Sequence, residues 1–432
     1  MFLSALSMLP GTIAISGYNL ADTYFVSQMN DWRELAAMGY SFPIVMFFSF
    51  IFSGFATGVM VSTSQAFGGK KRRKASHLIT AGLVYSFILA IFLGLLGFYF
   101  MEETFLYLGA GNEVLPGIRK YMSIWYLGGA ATAALGSTGN NIFMSVGSTR
   151  TAGIMMLGGL LLNIVLDPIF IFGYAGMPKM GIAGAAMATV IAQGLSALVM
   201  LGQLHFRYHF LTTSVFCNRL MTQTRRLILK FAFPAILGLL LIPLGNTIIT
   251  AILARFSDKA VAAVSTAGRI ELIAFVLPMS LGMALMPMIA QNYGAGLYSR
   301  IHQCRRVAMR AALILLVITG TLLFIFAESL ARIFTQDETI LPIMILYLRI
   351  VAPGFCMVEV HRFATFFYTG CGHPIISALL IALRIFGFLV PLSFLALSLE
   401  WLTGVFWARL TADLLAGSIA LYLARRLTKK LQ

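Results

Sequence analysis

Continuous apolar runs of twenty or more residues recur about every 35 residues along this chain. Each is long enough to cross ~30 Å of hydrocarbon as a helix. Twelve such runs cover residues 2–27, 37–67, 77–101, 119–145, 151–173, 181–204, 228–255, 262–292, 305–327, 340–369, 374–398 and 403–424. They do not alternate polar and apolar positions over about ten residues, which argues against a transmembrane β-barrel. Hydrophobic residues fill 59% of the 432 positions and charged residues only 11%, too few to cover the surface of a water-soluble domain. The reading is an all-α polytopic membrane protein.

The formal charge of +16 would suit nucleic acid if the basic residues formed a patch. They do not. With the first loop placed outside, 19 Lys and Arg fall on the opposite side against 7 on the first, the bias that places basic loops in the cytoplasm. Both termini are therefore expected in the cytoplasm of a prokaryotic plasma membrane, with no nucleic-acid partner. Residues 1–25 are apolar but have no basic lead-in and contain Asn19 and Asp22, unlike a cleaved signal peptide. The four cysteines, Cys217, Cys304, Cys356 and Cys371, form no CxxC pair and read as free thiols.

The chain repeats itself. Gln65-Ala-Phe-Gly68-Gly-Lys and Gln291-Asn-Tyr-Gly294-Ala-Gly lie 226 positions apart, and Leu35-Ala-Ala37 maps onto Val261-Ala-Ala263 at the same offset. Six spans are thus used twice. An even number keeps both halves in the same orientation, giving a parallel pseudo-twofold repeat about an axis along the membrane normal. The expected division is a first lobe at 1–205, a cytoplasmic linker at 206–227 and a second lobe at 228–432. Proteins built this way bind cargo between the halves and alternate access, although a duplicated scaffold or passive channel would share the repeat.

Two carboxylates stand out in the first half. A lone charge at membrane depth costs roughly 2.5–3.5 kcal/mol on insertion scales, so Asp22 and Asp167 mark an ion or substrate pathway by default. On span 5, Asn163 and Asp167 are four apart and share a helical face, as do Tyr18 and Asp22 on span 1. Counting 1.5 Å per residue puts Asp22, Asp167 and Thr189 roughly 7–12 Å below the outer boundary, where they can converge. Two carboxylates meeting in a poorly solvated site cannot both stay ionised cheaply, so a proton or Na⁺ is the expected occupant. Its arrival can bias the bend of span 1 near Pro10 and Gly11. The plainer alternative is that Asp167 caps or kinks span 5 beside Pro168 while Asp22 bonds a backbone carbonyl.

The second half differs. Its spans hold Arg269, Glu271, Arg349, Glu359, Arg362, Arg384, Arg409 and Asp413. Spacing predicts an Arg409–Asp413 pair at i, i+4 and a Glu359–Arg362 pair at i, i+3, whereas Arg269 and Glu271 at i, i+2 do not face one another. Glu271, Glu359 and Arg269 are the second-lobe candidates for ion or cargo binding. No HExxH, Ser-His-Asp or GxxxxGK[ST] arrangement occurs, so neither an enzyme nor an ATP-driven pump is expected, and no cofactor or bound metal beyond the coupling ion.

Tyr18-Asn-Leu-Ala-Asp22-Thr-Tyr-Phe-Val-Ser, Gly139-Asn140, Leu162-Asn163-Ile-Val-Leu-Asp167-Pro-Ile-Phe-Ile, Gly184-Ala-Ala-Met-Ala-Thr189 and Ala267-Gly-Arg269-Ile-Glu occur in that order along the chain. As a set they resemble the multidrug and toxic compound extrusion (MATE) transporters, nearest to the DinF-type and archaeal branch. The resemblance implies two six-helix lobes opening as a V and export of amphipathic, usually cationic compounds against an inward H⁺ or Na⁺ gradient. It also implies Asp22 and Asp167 as the ion-exchanging carboxylates, with Asn163, Asn140 and Thr189 as polar supports, in a monomer whose partners are its cargo and membrane lipid. A lipid-linked sugar flippase on a related fold is the alternative. It would grip pyrophosphate with membrane arginines, which here occur only in the second half.

Overall fold

The computed structural model describes residues 2–29, 31–212 and 218–430, with the side chains of all but 2–4, 13, 15, 16, 18–20 and 218–221 among them. Cys217 therefore lies outside the described residues. Every described regular element is helical, as expected where lipid cannot satisfy backbone amides and each helix must satisfy its own. In chain order the long helices are α1 (Phe2–Ser27), α2 (Trp32–Gly68), α3 (Arg72–Tyr99), α4 (residues 115–145), α5 (Thr149–Phe172) and α6 (Ile182–Arg207). The second set is α7 (Asn218–Phe256), α8 (Asp258–Gly294), α9 (Tyr298–Ile325), α10 (Leu341–Gly370), α11 (Pro374–Ser398) and α12 (Leu402–Lys430).

Ten of these are long and apolar enough to cross a membrane. The other two, α1 and α4, occupy the remaining expected spans. A π-helical turn at Trp125–Gly129 interrupts α4, and another at Leu383–Leu389 interrupts α11.

The duplication is written into the helix boundaries. Trp32 and Asp258 open α2 and α8, Arg72 and Tyr298 open α3 and α9, and Met101 and Ala327 open the short helices that follow, each 226 positions apart. The caps repeat as well. Asp31 caps α2 by accepting from the Arg33 amide, and Ser257 caps α8 by accepting from the Ala260 amide, satisfying donors that a helix start leaves free. Gly147 after α4 and Gly372 after α10 have φ of 84° and 87°, the left-handed conformation that ends a helix at little steric cost for glycine alone.

The chain forms two compact units, Ser7–Ile236 and Leu237–Gln432 with Met1–Leu6. The dividing point lies inside α7. Its first half belongs to the first unit because α2 presents glycines there: a Cβ at Gly54 would sit 2.6 Å from Ile236 Cα, and one at Gly58 2.7 Å from Ala232. Small residues allow such close approach between membrane helices, where packing drives association without a hydrophobic gradient. Aromatic clusters centre both units, Phe48 with Phe52, Trp125 and Tyr126 in the first, Tyr347 with Phe406 in the second. Large apolar side chains such as Phe92, Leu198 and Ile273 are left outward-facing, the surface a bilayer covers.

Candidate ion site in the first unit

Asp22, Asn163, Asp167 and Thr189 come from three helices, α1, α5 and α6, and all four are buried. They form one chain of contacts. Asn163 Nδ2 donates to Asp167 Oδ1 one helical turn further along α5 at 3.2 Å, and also reaches Thr189 Oγ1 at 3.2 Å. Thr189 in turn donates to Asp22 Oδ2 at 3.2 Å. Asp22 and Asp167 lie within interaction range of one another. Asp22 bonds across to α6 and not to a backbone carbonyl, whereas the partner of Asp167 is Asn163 on its own helix, beside Pro168.

The site is underfilled. Asp22 Oδ1, Asp167 Oδ2 and Asn163 Oδ1 are buried without a hydrogen-bond partner, whereas buried polar atoms are nearly always paired. Neither carboxylate takes part in an ion pair among the described residues. Three unpaired oxygens, two of them from carboxylates, suit a hard cation with oxygen ligands, and a shared proton would satisfy part of the same set.

α1 is held against α5 at close range. A Cβ on Gly153 would fall 2.2 Å from the Ser7 carbonyl oxygen, one on Gly11 2.8 Å from Met156 Sδ, and one on Gly17 2.6 Å from Leu160 Cδ2. Pro10 lies inside α1 on the same stretch, where its missing amide weakens the helix. The Tyr18 side chain lies outside those described.

Asn140 does not join the cluster. It is half-buried on α4, 19 residues beyond Tyr121, about 28 Å along the helix at 1.5 Å per residue. Tyr121, which the sequence did not single out, is buried on α4 within electrostatic reach of both carboxylates. No spacing pattern separates it from the other aromatics of its span.

In the second unit the expected Arg409–Asp413 pair is secondary. Arg409 reaches across to α8 and grips Glu271 with two hydrogen bonds, Nη1 to Oε1 at 3.0 Å and Nη2 to Oε2 at 2.5 Å, and donates to the Tyr347 hydroxyl. Its Nε stands 4.0 Å from Asp413, whose close partner is Arg384 on α11, with Nε at 2.8 Å from Oδ1. Helical spacing describes neighbours on one helix, and here the cross-helix geometry is better. Glu359 and Arg362 do pair at 3.2 Å, although at an angle that leaves both Glu359 oxygens without a hydrogen bond. Arg269 is exposed, apart from Glu271's partners. A cavity of about 380 Å³ is lined by Glu271, Arg384, Arg409, Tyr347, Asn246 and Thr250 among others. Cys304, Cys356 and Cys371 are free thiols.

Comparison with known proteins agrees with this architecture. A family model described as MatE matches residues 9–169 and 234–395, one stretch in each half. The chain is 31% identical over 424 residues to an FAD transporter of Shewanella oneidensis, covering 98% of this chain and 93% of that one. It is 24% identical over 430 residues to the multidrug export protein MepA of Staphylococcus aureus, covering 98% and 93%. A crystal structure of the Vibrio cholerae MATE transporter VcmN in the bent form superposes with a TM-score of 0.93 at 27% identity, covering 100% of this chain and 96% of that one. With two repeated six-helix sets, buried carboxylates at membrane depth and a family match over both halves, this chain belongs to the MATE family of membrane transporters.

Proposed function

We propose that this protein is an antiporter of the kind seen in the DinF-type and archaeal branch, exporting amphipathic compounds in exchange for H⁺ or Na⁺ bound in the first unit. The observation that supports it most directly is the pair Asp22 and Asp167, buried with Asn163 and Thr189 and each keeping one oxygen unpartnered. Mutual repulsion and poor solvation make the empty, doubly ionised pair costly, and a bound proton or Na⁺ removes that cost. Coupling requires that the two access states bind the ion differently. α1 carries Asp22 and is weakened at Pro10, so a change in the ion site can alter how α1 bends against α5. Basic loops orient the chain with both termini in the cytoplasm, and the ion enters from outside.

A second reading concerns the cargo. The Shewanella oneidensis relative is named for FAD, a dinucleotide with a diphosphate, and two arginines of this chain, Arg384 and Arg409, line the second-unit cavity. That favours an anionic aromatic compound over the organic cations expected of multidrug exporters. Reconstitution into liposomes with separately imposed proton and sodium gradients tests both readings. Dye or flavin efflux should follow one gradient and collapse when it is dissipated. Equal flux with no gradient would overturn the antiport reading.

A further inference from the structure

The cavity in the second unit is the repeat counterpart of the carboxylate site in the first. α1, α4, α5 and α6 surround Asp22 and Asp167, and their counterparts α7, α10, α11 and α12 all contribute to the cavity. Individual positions correspond. Tyr121 maps onto Tyr347 at the 226 offset, and Thr189 and Arg409 each stand seven residues into their helices, α6 from Ile182 and α12 from Leu402. Asp22 maps onto Ile248. The chemistry differs: where the first unit brings together acceptor oxygens, the second brings together Arg384 and Arg409, each paired with a carboxylate, Asp413 and Glu271, with an apolar residue in place of Asp22.

We infer that this cavity is a binding site for a phosphate or diphosphate group, with Glu271 as the internal carboxylate that an incoming anion displaces from Arg409. Three features support it. Arg409 offers Glu271 both terminal nitrogens in the parallel fork that also matches a phosphate. Arg384 lines the same cavity while its Nε and Nη2 hold Asp413, so a diphosphate on Arg409 can meet a second guanidinium group through the remaining Arg384 nitrogen. At about 380 Å³ the space exceeds what an internal ion pair needs, and Tyr347, Phe406, Asn246 and Thr250 supply aromatic faces and polar groups for an attached organic moiety. The inference deepens the export reading by giving the cargo an anionic group, but binding itself needs neither gradient nor transport.

The test is equilibrium binding of inorganic pyrophosphate to the purified full chain in nanodiscs of neutral lipid, at fixed salt and pH. Glu271→Gln frees Arg409 and should tighten pyrophosphate binding at least fivefold. The double variant Arg409→Gln with Glu271→Gln, which keeps the local charge balanced and so guards against misfolding, should weaken binding at least tenfold. Asp22→Asn should leave the pyrophosphate Kd within twofold of wild type, so a failure of ion coupling would not be mistaken for a failure of this site. Repeating the titration with phosphatidylglycerol in the nanodisc separates the sources of phosphate: competition assigns the site to a lipid headgroup, and no competition to a soluble compound. If folded Glu271→Gln and the double variant both bound pyrophosphate as wild type does, or if wild type and Glu271→Gln bound none, the inference would be overturned and the arginines would be structural ion-pair partners only.

Discussion

The hydroxyl of Thr189 donates to Oδ2 of Asp22 at 3.2 Å, tying α6 to α1 across the first unit. Because Asn163 also reaches this hydroxyl, Thr189 relays the α5 side of the site to the one carboxylate carried by α1. A hydrogen bond to a charged acceptor contributes about 1.5–3 kcal/mol. With H⁺ as the driving ion, Thr189→Val, which keeps the shape and removes the donor, loses a bond that favours the ionised carboxylate and should therefore lower the H⁺ concentration for half-maximal transport by roughly ten- to hundredfold. Thr189→Ser should stay near wild type. Transport titrated against external H⁺ measures this, and an unchanged half-maximum in Thr189→Val would remove Thr189 from the site.

The seam between α1 and α5 gives a second prediction. A methyl at Gly153 would meet the Ser7 carbonyl oxygen at 2.2 Å, with backbone on both sides of the contact. Gly153→Ala should cost about 1–3 kcal/mol of stability, the range for overpacking, and should slow transport by pushing α1 off α5. Thermal unfolding in detergent and initial efflux rates check the two effects. Gly158, which has open space around its added Cβ, supplies the control: Gly158→Ala should change neither.

The second-unit ion pairs predict a strong non-additivity. Asp413 is almost wholly buried and pairs with Arg384, so Arg384→Met alone leaves a buried charge short of its partner and should destabilise by about 3–5 kcal/mol. Replacing both, as Arg384→Met with Asp413→Leu, should recover most of that loss. A double variant as unstable as the sum of its singles would show that the pair is not coupled.

Orientation gives a fourth. In a background without native cysteines, Gly111→Cys should react with an impermeant thiol reagent added outside, and Lys74→Cys only after the cytoplasmic face is opened. Both positions are exposed. Labelling of Gly111→Cys from the cytoplasm alone would invert the topology.

Much of this molecule was legible in its sequence because lipid imposes simple rules. Span length and the constant 226 offset gave twelve helices in two sets, and the offset reappears at the starts of α2, α3, α8 and α9. Asn163 and Asp167 were legible because i, i+4 neighbours on one helix must share a face. Asn140 and Tyr121 show the limit: the family resemblance drew in an asparagine about 28 Å along α4 from the tyrosine that stands near the carboxylates. The exchange of ion-pair partners among Glu271, Arg384, Arg409 and Asp413 was hidden for the same reason, since it depends on how α8, α11 and α12 face one another.

The central claim is that Asp22 and Asp167 bind the driving ion. The most direct measurement compares gradient-driven efflux from proteoliposomes containing wild type, Asp22→Asn and Asp167→Asn, at matched protein content and with folding verified by thermal unfolding. Each variant removes a buried carboxylate that has no basic partner among the described residues, so stability should be kept or raised. Efflux under the gradient should fall to the level of empty liposomes in both variants. If folded Asp22→Asn exported at the wild-type rate under the same gradient, the first-unit cluster would not be the coupling site.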